Sequence, residues 1–251
     1  MCRYTKLLTT LILIICICVC VFTGYKITTY YYEAYQSEKK YDELENMIKD
    51  EPEVEDIKIT FESKYEELLK KNSDMVAWIT IDDTKINYPI MLTPNNEQYY
   101  LRKNFDKKYE FRGTLFFNGD ANFDDMNMII YGHNMDDGTM FGALRKYYKR
   151  DYFEDHRYIK LETPEGNRTY EITYVMKTVD NLNHEKYVNY YDFINYTEDE
   201  FYNQLALYEK NSIYTTGTLL SYEDKLLTLS TCEYSNDNGR FVIVAKLISE
   251  E

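Results

Sequence analysis

Cysteine, histidine and tryptophan are scarce in this 251-residue sequence, and the scarcity excludes several classes of protein. Four of the five cysteines are Cys2, Cys16, Cys18 and Cys20, so everything after residue 20 contains Cys232 alone. A polar domain with one thiol cannot be built on a framework of intramolecular disulfides. Cys232 is therefore either an incidental residue or a nucleophile.

Candidate metal ligands are also few. The three histidines are scattered along the chain, and with one cysteine among them they form no set of ligands at the spacing of a zinc site. The acidic run 120–125 lacks the glycine and the terminal glutamate of an EF-hand calcium loop. The sequence therefore predicts no metal site and no cofactor.

Basic side chains are fewer than acidic ones, and the excess of acidic side chains lies beyond the first 26 residues. The chain has 29 basic and 43 acidic side chains, a net charge of −14. The first 26 residues hold three basic and no acidic side chains, which leaves 26 against 43, or −17, in the remainder. A surface of this sign repels phosphate backbones and anionic lipid headgroups. Nucleic acid is therefore excluded as a partner.

One long apolar run is present, at residues 7–24, and it contains neither a charge nor a proline. As a helix it would extend about 27 Å, enough to cross the hydrocarbon core of a bilayer. A cleaved signal peptide is the alternative, but no small-x-small cleavage pattern follows the run. Arg3 and Lys6 precede it, although Lys26 follows. The positive-inside rule then predicts an uncleaved anchor with residues 1–6 in the cytoplasm and the rest outside.

Residues 25–72 are predicted to form an extracellular helical stalk followed by N-terminal helices. The segment is rich in charge of both signs, and Pro52 is expected to end the stalk. Ser63 and Glu66 have the spacing of a capping box, which predicts a short helix over about 63–71.

The pattern changes to a period of two from residue 73 to 251. Short apolar runs separated by Asp, Asn and Gly turns predict strands at 76–81, 86–91, 114–117, 128–131, 157–162, 169–177, 225–231 and 240–248. Helices are expected at 139–148 and at 197–210, the second opened by a capping box at Thr197 and Glu200. The sequence thus predicts a mainly β domain, a closed barrel of about eight strands with a few helices.

Three residues at predicted strand ends have side chains suited to acyl transfer. Cys232 closes the strand 225–231, Arg240 begins the next strand, and His133 follows the strand 128–131. A thiol with a pKa of about 8.5 is only slightly ionised at neutral pH, and a neighbouring imidazolium favours the thiolate. The same imidazole can protonate a leaving amine.

Each of these residues alone also fits an ordinary structural role. A lone cysteine is most often a small buried core residue, and a lone arginine is most often a surface charge. The other two histidines, His156 and His184, lie in charged, loop-like contexts and are expected to be solvated. Only the combination of Cys232, His133 and Arg240 indicates a cysteine nucleophile.

Taken together, these segments resemble the sortases, the cysteine transpeptidases of Gram-positive bacteria. The run 228–232, Thr-Leu-Ser-Thr-Cys, is similar to their nucleophile signature, with Arg240 at the start of the next strand, and the run 130–134, Ile-Tyr-Gly-His-Asn, is similar to their histidine segment. Weaker similarity at 86–89, 99–101, 113–116 and 139–141 extends the resemblance over about 74–248.

Among sortases the sequence is most similar to class B. Two helices before the barrel and a helix inside a long insertion at about 178–224 both fit that class, whereas class A lacks the helical insertion. Class C enzymes usually carry an Asp-Pro-aromatic lid motif and a C-terminal membrane segment, and this sequence shows neither.

The resemblance implies a role for each strand-end residue. Cys232 would attack a carbonyl of a C-terminal sorting signal, and His133 would protonate the departing amine. Arg240 would hold the substrate carbonyl or stabilise the developing oxyanion, helped by the backbone N–H of Glu233. An amine of a peptidoglycan precursor of the lipid II type would then release the thioacyl intermediate.

The resemblance also implies a groove for the sorting signal. Leu101, Ser230 and the pair Tyr187 and Val188 match groove positions of class B sortases. Relatives commonly have Asn two residues before the Tyr-Tyr-Leu segment, where this sequence has Glu97. A carboxylate at a position that touches substrate is expected to alter which sorting motif is accepted.

These expectations together describe a membrane-anchored class B sortase whose catalytic domain lies on the extracellular face. It would attach secreted proteins that carry a C-terminal sorting signal to peptidoglycan. Three alternatives stay open: a sortase that polymerises pilins, with a lysine side chain in place of the wall amine; a protease, if water competes with the amine; and a surface binding protein of low activity. Binding alone would need none of Cys232, His133 and Arg240.

Overall fold

A computed structural model of the chain describes residues 2–48 and 60–251, which fall into two compact units, Met1–Asn46 and Met47–Glu251. The described part of the first unit is mainly one helix, α1 (Cys2–Glu45). Among the described residues, this is the one helix long and apolar enough to cross a membrane: its most apolar window has a mean hydropathy of 2.7 and is not buried. The stalk end expected near Pro52 lies outside the described residues.

Two short helices, α2 (Phe61–Lys64) and α3 (Glu66–Lys71), open the second unit. The side chain of Thr60 caps α2 by accepting a hydrogen bond from the backbone N–H of Ser63. The capping box predicted at Ser63 and Glu66 is therefore wrong, and the helical segment begins two residues earlier and breaks at Tyr65. The Tyr65 ring is buried and stacks on Trp78, so tertiary packing fixes this junction.

Eight strands within residues 60–251 form a closed barrel, which confirms the predicted fold class. They are β1 (Met75–Thr80), β2 (Asn87–Met91), β3 (Leu115–Phe117), β4 (Asn127–Tyr131), β5 (Tyr158–Thr163), β6 (Gly166–Val179), β7 (Leu226–Glu233) and β8 (Gly239–Glu250). Their order around the barrel is β1-β2-β3-β4-β7-β8-β6-β5, and β5 closes it against β1. The pairs β2–β3 and β4–β7 are parallel, and the others are antiparallel.

The predicted helix in the insertion between β6 and β7 is confirmed as α5 (Glu198–Asn211). Its capping box is complete, since Thr197 accepts from the backbone N–H of Glu200 and the Glu200 carboxylate accepts from that of Thr197. Phe201 and Tyr208 are fully buried on its inner face. This face holds the insertion against the barrel, because it packs in one cluster with residues of β4, β6, β7 and β8.

Other short helices connect the strands. The segment predicted as a helix over 139–148 is a 3₁₀ helix, Phe141–Tyr148, followed by α4 (Arg150–Asp155). A further 3₁₀ helix, Glu97–Arg102, was not expected from the sequence, and neither was α4. None of these three helices has a side-chain cap, so packing rather than a local signal defines their ends.

Candidate active site

Cys232 lies near the end of β7 and pairs directly with Arg240 of β8. Side chains alternate along a strand, so Ser230 and Cys232 lie on the same face of β7. All three side chains line one open cleft of about 1060 Å³. The thiol is free and partly exposed, as a nucleophile must be.

His133 reaches the same cleft from the neighbouring strand. β4 runs parallel to β7, with Tyr131 opposite Ser230, and the backbone N–H of Gly132 extends the ladder to the Ser230 carbonyl at 3.2 Å. His133 therefore leaves β4 beside the residues that lead to Cys232, and both side chains line the cleft. The parallel pairing brings together two residues that are distant in the sequence.

The tautomer of His133 follows from its partner. Its Nε2 lies 2.8 Å from the main-chain carbonyl oxygen of Leu101. A carbonyl oxygen only accepts hydrogen bonds, so Nε2 carries the proton and, in the neutral ring, Nδ1 is the free base. Burial lowers the pKa of His133, the bond to Leu101 opposes this effect, and the positive charge of Arg102 adds to it, with a net pKa below the ordinary value.

An aromatic ring and a guanidinium are stacked beyond the imidazole. The Phe111 ring lies nearly parallel to that of His133, with 6.2 Å between centroids and 8° between planes. The guanidinium of Arg102 lies over the Phe111 ring at 4.4 Å and donates to the Phe111 carbonyl oxygen at 2.6 Å. This arrangement keeps a positive charge near the imidazole of His133.

Arg240 has an acidic neighbour. Its Nη2 lies 3.6 Å from a carboxylate oxygen of Asp180, and its Nη1 donates to the carbonyl oxygen of Gly239 at 3.1 Å. The side chain is 29% exposed. Asp180 and Arg240 both line the cleft, so the ion pair between them faces the cleft.

The insertion before β7 contributes one wall of the cleft, through Tyr190, Tyr191 and Asp192. The Tyr190 hydroxyl bonds to Ser230 Oγ at 2.7 Å, which links this wall to the strand that carries the nucleophile. Sequence reasoning missed these residues, because a tyrosine-rich stretch with no regular period gives no sign of which rings face inward.

The nearby pair Tyr187 and Val188, predicted to contact substrate, is not among the residues that line the cleft. Val188 is 1% exposed and belongs to the core cluster. The Tyr187 hydroxyl instead bonds to that of Tyr191 at 2.9 Å. A direct contact of Tyr187 with substrate therefore stays a prediction. In this geometry Tyr187 supports Tyr191, which does line the cleft.

Glu233 follows the nucleophile, and its side chain lies outside the cleft lining. The carboxylate accepts hydrogen bonds from Lys177 Nζ at 3.0 Å and from the backbone N–H of Ser235 at 3.0 Å. Burial alone would raise the pKa of Glu233, but the bonds from Ser235 and Lys177 hold it below its ordinary value. The predicted role of this residue rested on its backbone N–H and stays a prediction.

Glu97 and Leu101 lie on the 3₁₀ helix Glu97–Arg102, and both line the cleft. The Glu97 carboxylate accepts from the backbone N–H of Gly119 at 3.3 Å. An alanine at 119 would place its Cβ 2.9 Å from the Cβ of Glu97. The close approach of the two segments fixes the position of Glu97 in the wall of the cleft.

The remaining histidines, predicted to be solvated, are both half-buried and lie outside the cleft. His156 Nδ1 lies 2.8 Å from the carbonyl oxygen of Tyr152, and His184 Nδ1 accepts from the backbone N–H of Lys186. Neither lines the cleft. Among the described residues, no group of three or more His, Cys, Asp or Glu side chains could hold a metal ion.

A barrel that presents a partly exposed thiol, an imidazole and a guanidinium to one cleft defines a class of cysteine acyltransferase. Residues 79–248 match the family model of the sortase domain. The chain therefore belongs to the sortase family and is a cysteine transpeptidase.

Within that family the chain is similar to sortase B. It is 32% identical over 234 residues to the sortase B of Listeria monocytogenes, a match that covers 92% of each chain. The structure of sortase B from Bacillus anthracis superposes with a TM-score of 0.73 at 29% identity, covering 87% of this chain and 99% of that one. A Staphylococcus aureus sortase B–substrate complex matches with a TM-score of 0.64 at 27% identity, covering 76% and 87%. The predicted resemblance to class B is confirmed.

Proposed function

We propose that this chain is a membrane-anchored class B sortase that joins secreted proteins to peptidoglycan through a thioacyl intermediate on Cys232. The observation that carries the proposal is the shared cleft of Cys232, His133 and Arg240. The Staphylococcus aureus relative, solved as a complex with substrate, supports a substrate site in the same fold.

In the first half-reaction the Cys232 sulfur attacks the carbonyl carbon of the scissile peptide bond in a C-terminal sorting signal. The thiol proton passes to Nδ1 of His133 and from there to the departing amine as the C–N bond breaks. A lowered pKa suits this role, because the ring is then neutral at pH 7 and able to take the proton. A thioester on Cys232 remains.

Arg240 assists this step by electrostatics. Negative charge develops on the carbonyl oxygen as the tetrahedral intermediate forms, and a guanidinium that keeps its charge stabilises it. The backbone N–H of Glu233 would supply a second donor. Because β8 positions Arg240 directly opposite Cys232, little reorganisation is needed when the charge appears.

In the second half-reaction an amine of a peptidoglycan precursor attacks the thioester carbonyl. A new amide bond forms as the C–S bond breaks, and His133 takes a proton from the attacking amine and passes it to the departing sulfur. The open form of the cleft allows a second substrate to approach while the first acyl group is still bound. Transfer rather than hydrolysis requires that this amine compete successfully with water.

The helix α1 would anchor the enzyme in the cell membrane. Its apolar run has the length of a bilayer core, and Arg3 and Lys6 precede it. We propose that the N-terminus is cytoplasmic and that the barrel lies on the extracellular face, where secreted proteins and lipid II-type precursors meet. Labelling of Lys residues in intact cells by an impermeant reagent would test this orientation; a barrel protected from the reagent would contradict it.

The direct test of the reaction uses the full chain in detergent micelles with a panel of sorting-signal peptides and intact-mass spectrometry. We expect an acyl adduct on Cys232 with one motif, and an amide product when an amine acceptor is added. Cys232→Ala should give neither, whereas Cys18→Ala, at a thiol in the apolar run, should give both. No adduct with any peptide, from a thiol that still reacts with an alkylating agent, would overturn the proposal.

A further inference from the structure

The parallel ladder between β4 and β7 ends just before the proposed catalytic residues. Its last backbone pair joins Tyr131 to Ser230. Beyond it, the N–H of Gly132 still donates to the Ser230 carbonyl at 3.2 Å, and the hydroxyl of Thr231 donates back to the Gly132 carbonyl at 2.7 Å. Beyond the end of the backbone pairing, side-chain hydrogen bonds therefore join the two segments.

The last of these contacts comes from Asn134. Its Nδ2 donates to the main-chain carbonyl oxygen of Cys232 at 2.7 Å. The carbonyl can only accept, so the amide is oriented with its nitrogen toward Cys232. Asn134 is 7% exposed, and a bond of this length in a buried setting is costly to lose. One residue after His133, the chain is thus tied directly to the nucleophile.

Asn134 itself is held firmly. Its backbone forms an isolated antiparallel bridge with Met140, and the backbone N–H of Phe141 donates to the carbonyl oxygen of His133 at 3.0 Å. The 3₁₀ helix that follows packs closely on this turn, because a Cβ at Gly142 would lie 2.1 Å from the Met135 carbonyl oxygen. Because the backbone of Asn134 is fixed, its side-chain hydrogen bond also fixes the position of the Cys232 carbonyl.

We propose that Asn134 is a positioning residue that fixes the backbone of Cys232 relative to His133, and so sets the approach of the thiol to the imidazole. The inference rests on the proposed role of Cys232 as the nucleophile. Asn134 does not line the cleft, so it acts through Cys232 and touches no substrate. Rates of acyl transfer depend steeply on the relative positions of the reacting groups, and a shift of about 1 Å can lower the rate about 10²-fold.

The test compares Asn134→Ala with a matched control, Asn127→Ala. Asn127 lies at the other end of β4, is fully buried, and also donates from Nδ2 to a main-chain carbonyl, that of Phe193 at 2.6 Å. We expect Asn134→Ala to lower kcat for transpeptidation about 10-fold or more with KM within about twofold. Asn127→Ala should lower the Tm to a similar extent and leave kcat within about twofold of the wild type.

Equal kcat values for the two variants, or a loss confined to KM, would overturn the proposal. If Asn134→Ala does not fold, Asn134→Asp keeps the side-chain volume while replacing the donor with an acceptor. It should lose kcat at least as severely, and a wild-type kcat in that variant would also overturn the proposal.

The alkylation rate of Cys232 by iodoacetamide at pH 7 is a second readout that needs no peptide substrate. Asn134→Ala should slow it several-fold, and Asn127→Ala should not; equal rates would count against the positioning role. A wild type that forms no acyl adduct would refute the proposed function, whereas the alkylation comparison would still decide the role of Asn134.

Discussion

His133 donates a hydrogen bond from Nε2 to the main-chain carbonyl of Leu101 at 2.8 Å. This bond occupies Nε2, so Nδ1 is the ring nitrogen that remains available for proton transfer. Gly113 lies close to the same carbonyl, since a Cβ added there would be 2.6 Å from its oxygen. The position of the proposed catalytic base is therefore set by a backbone group rather than by a carboxylate.

The pH dependence of the reaction should reflect the lowered pKa of His133. The neutral ring is the base, so kcat/KM should fall as the pH drops through the His133 pKa, with the midpoint of this acid limb below about 6.5. Arg102→Gln removes a positive charge that disfavours the imidazolium, so the midpoint should rise. Arg150→Gln, at an exposed arginine paired with Glu154, should leave it unchanged. An unmoved midpoint in Arg102→Gln would contradict the electrostatic role.

Gly113→Ala tests whether the Leu101 carbonyl must stay in place. Gly113 has a φ of +61° and no room for a side chain, whereas Gly138 has a φ of +79° and no atom within 4 Å of the place a Cβ would take. Both alanine variants should lose about 1 kcal/mol of stability through backbone strain, and Gly113→Ala should lose more, because its Cβ would also overlap backbone oxygens 2.6 Å away. Only Gly113→Ala should also lower kcat, because it displaces the partner of His133. Equal kcat values in the two variants would contradict this expectation.

Replacement of the imidazole should be severe. We expect His133→Ala to reduce kcat/KM by at least about 10²-fold, in line with the usual contribution of general acid–base catalysis. His156→Ala is the matched control, since His156 also bonds through one ring nitrogen to a main-chain carbonyl but lies outside the cleft. Steady-state transpeptidation kinetics measure both. A larger loss in His156→Ala would refute the assignment.

Arg240→Lys should be strongly impaired although the charge is kept. Lysine presents a point charge in place of a planar fork of donors, so stabilisation of the oxyanion should weaken and kcat fall on the order of 10²-fold. Arg157→Lys is a suitable comparison, because Arg157 has the same 29% exposure but pairs with Glu154 and Glu171 away from the cleft. Near-normal kcat in Arg240→Lys would reduce Arg240 to a structural role.

Glu97 should influence the choice of sorting signal. A carboxylate in the wall of the cleft favours sorting signals with a basic side chain over neutral analogues. In Glu97→Asn the ratio of kcat/KM between a lysine-containing peptide and its glutamine analogue should fall. Glu198→Gln, at an exposed acid on α5, should preserve the ratio. An unchanged ratio in Glu97→Asn would exclude a role in specificity.

Much of the fold was predictable from local sequence. Period-two apolar runs gave strands within a few residues of those in the structure, and the capping box at Thr197 and Glu200 placed the start of α5. The box at Ser63 and Glu66 had the same spacing but was wrong, because Thr60 is the cap that forms. The same capping-box spacing can therefore form a cap in one place and not in another, depending on the packing around it.

Sequence alone was enough to predict three candidate catalytic side chains: one thiol beyond the apolar run, a histidine after one strand and an arginine at the start of another. Their motifs were sufficient to indicate the family. Tertiary structure alone decided how they meet, because the parallel pairing of β4 with β7 joins segments far apart in the chain. It also decided that Tyr190 rather than Val188 faces the cleft, and that Leu101 and Asn134 hold His133 and Cys232. Such contacts depend on long-range packing, which no local period encodes.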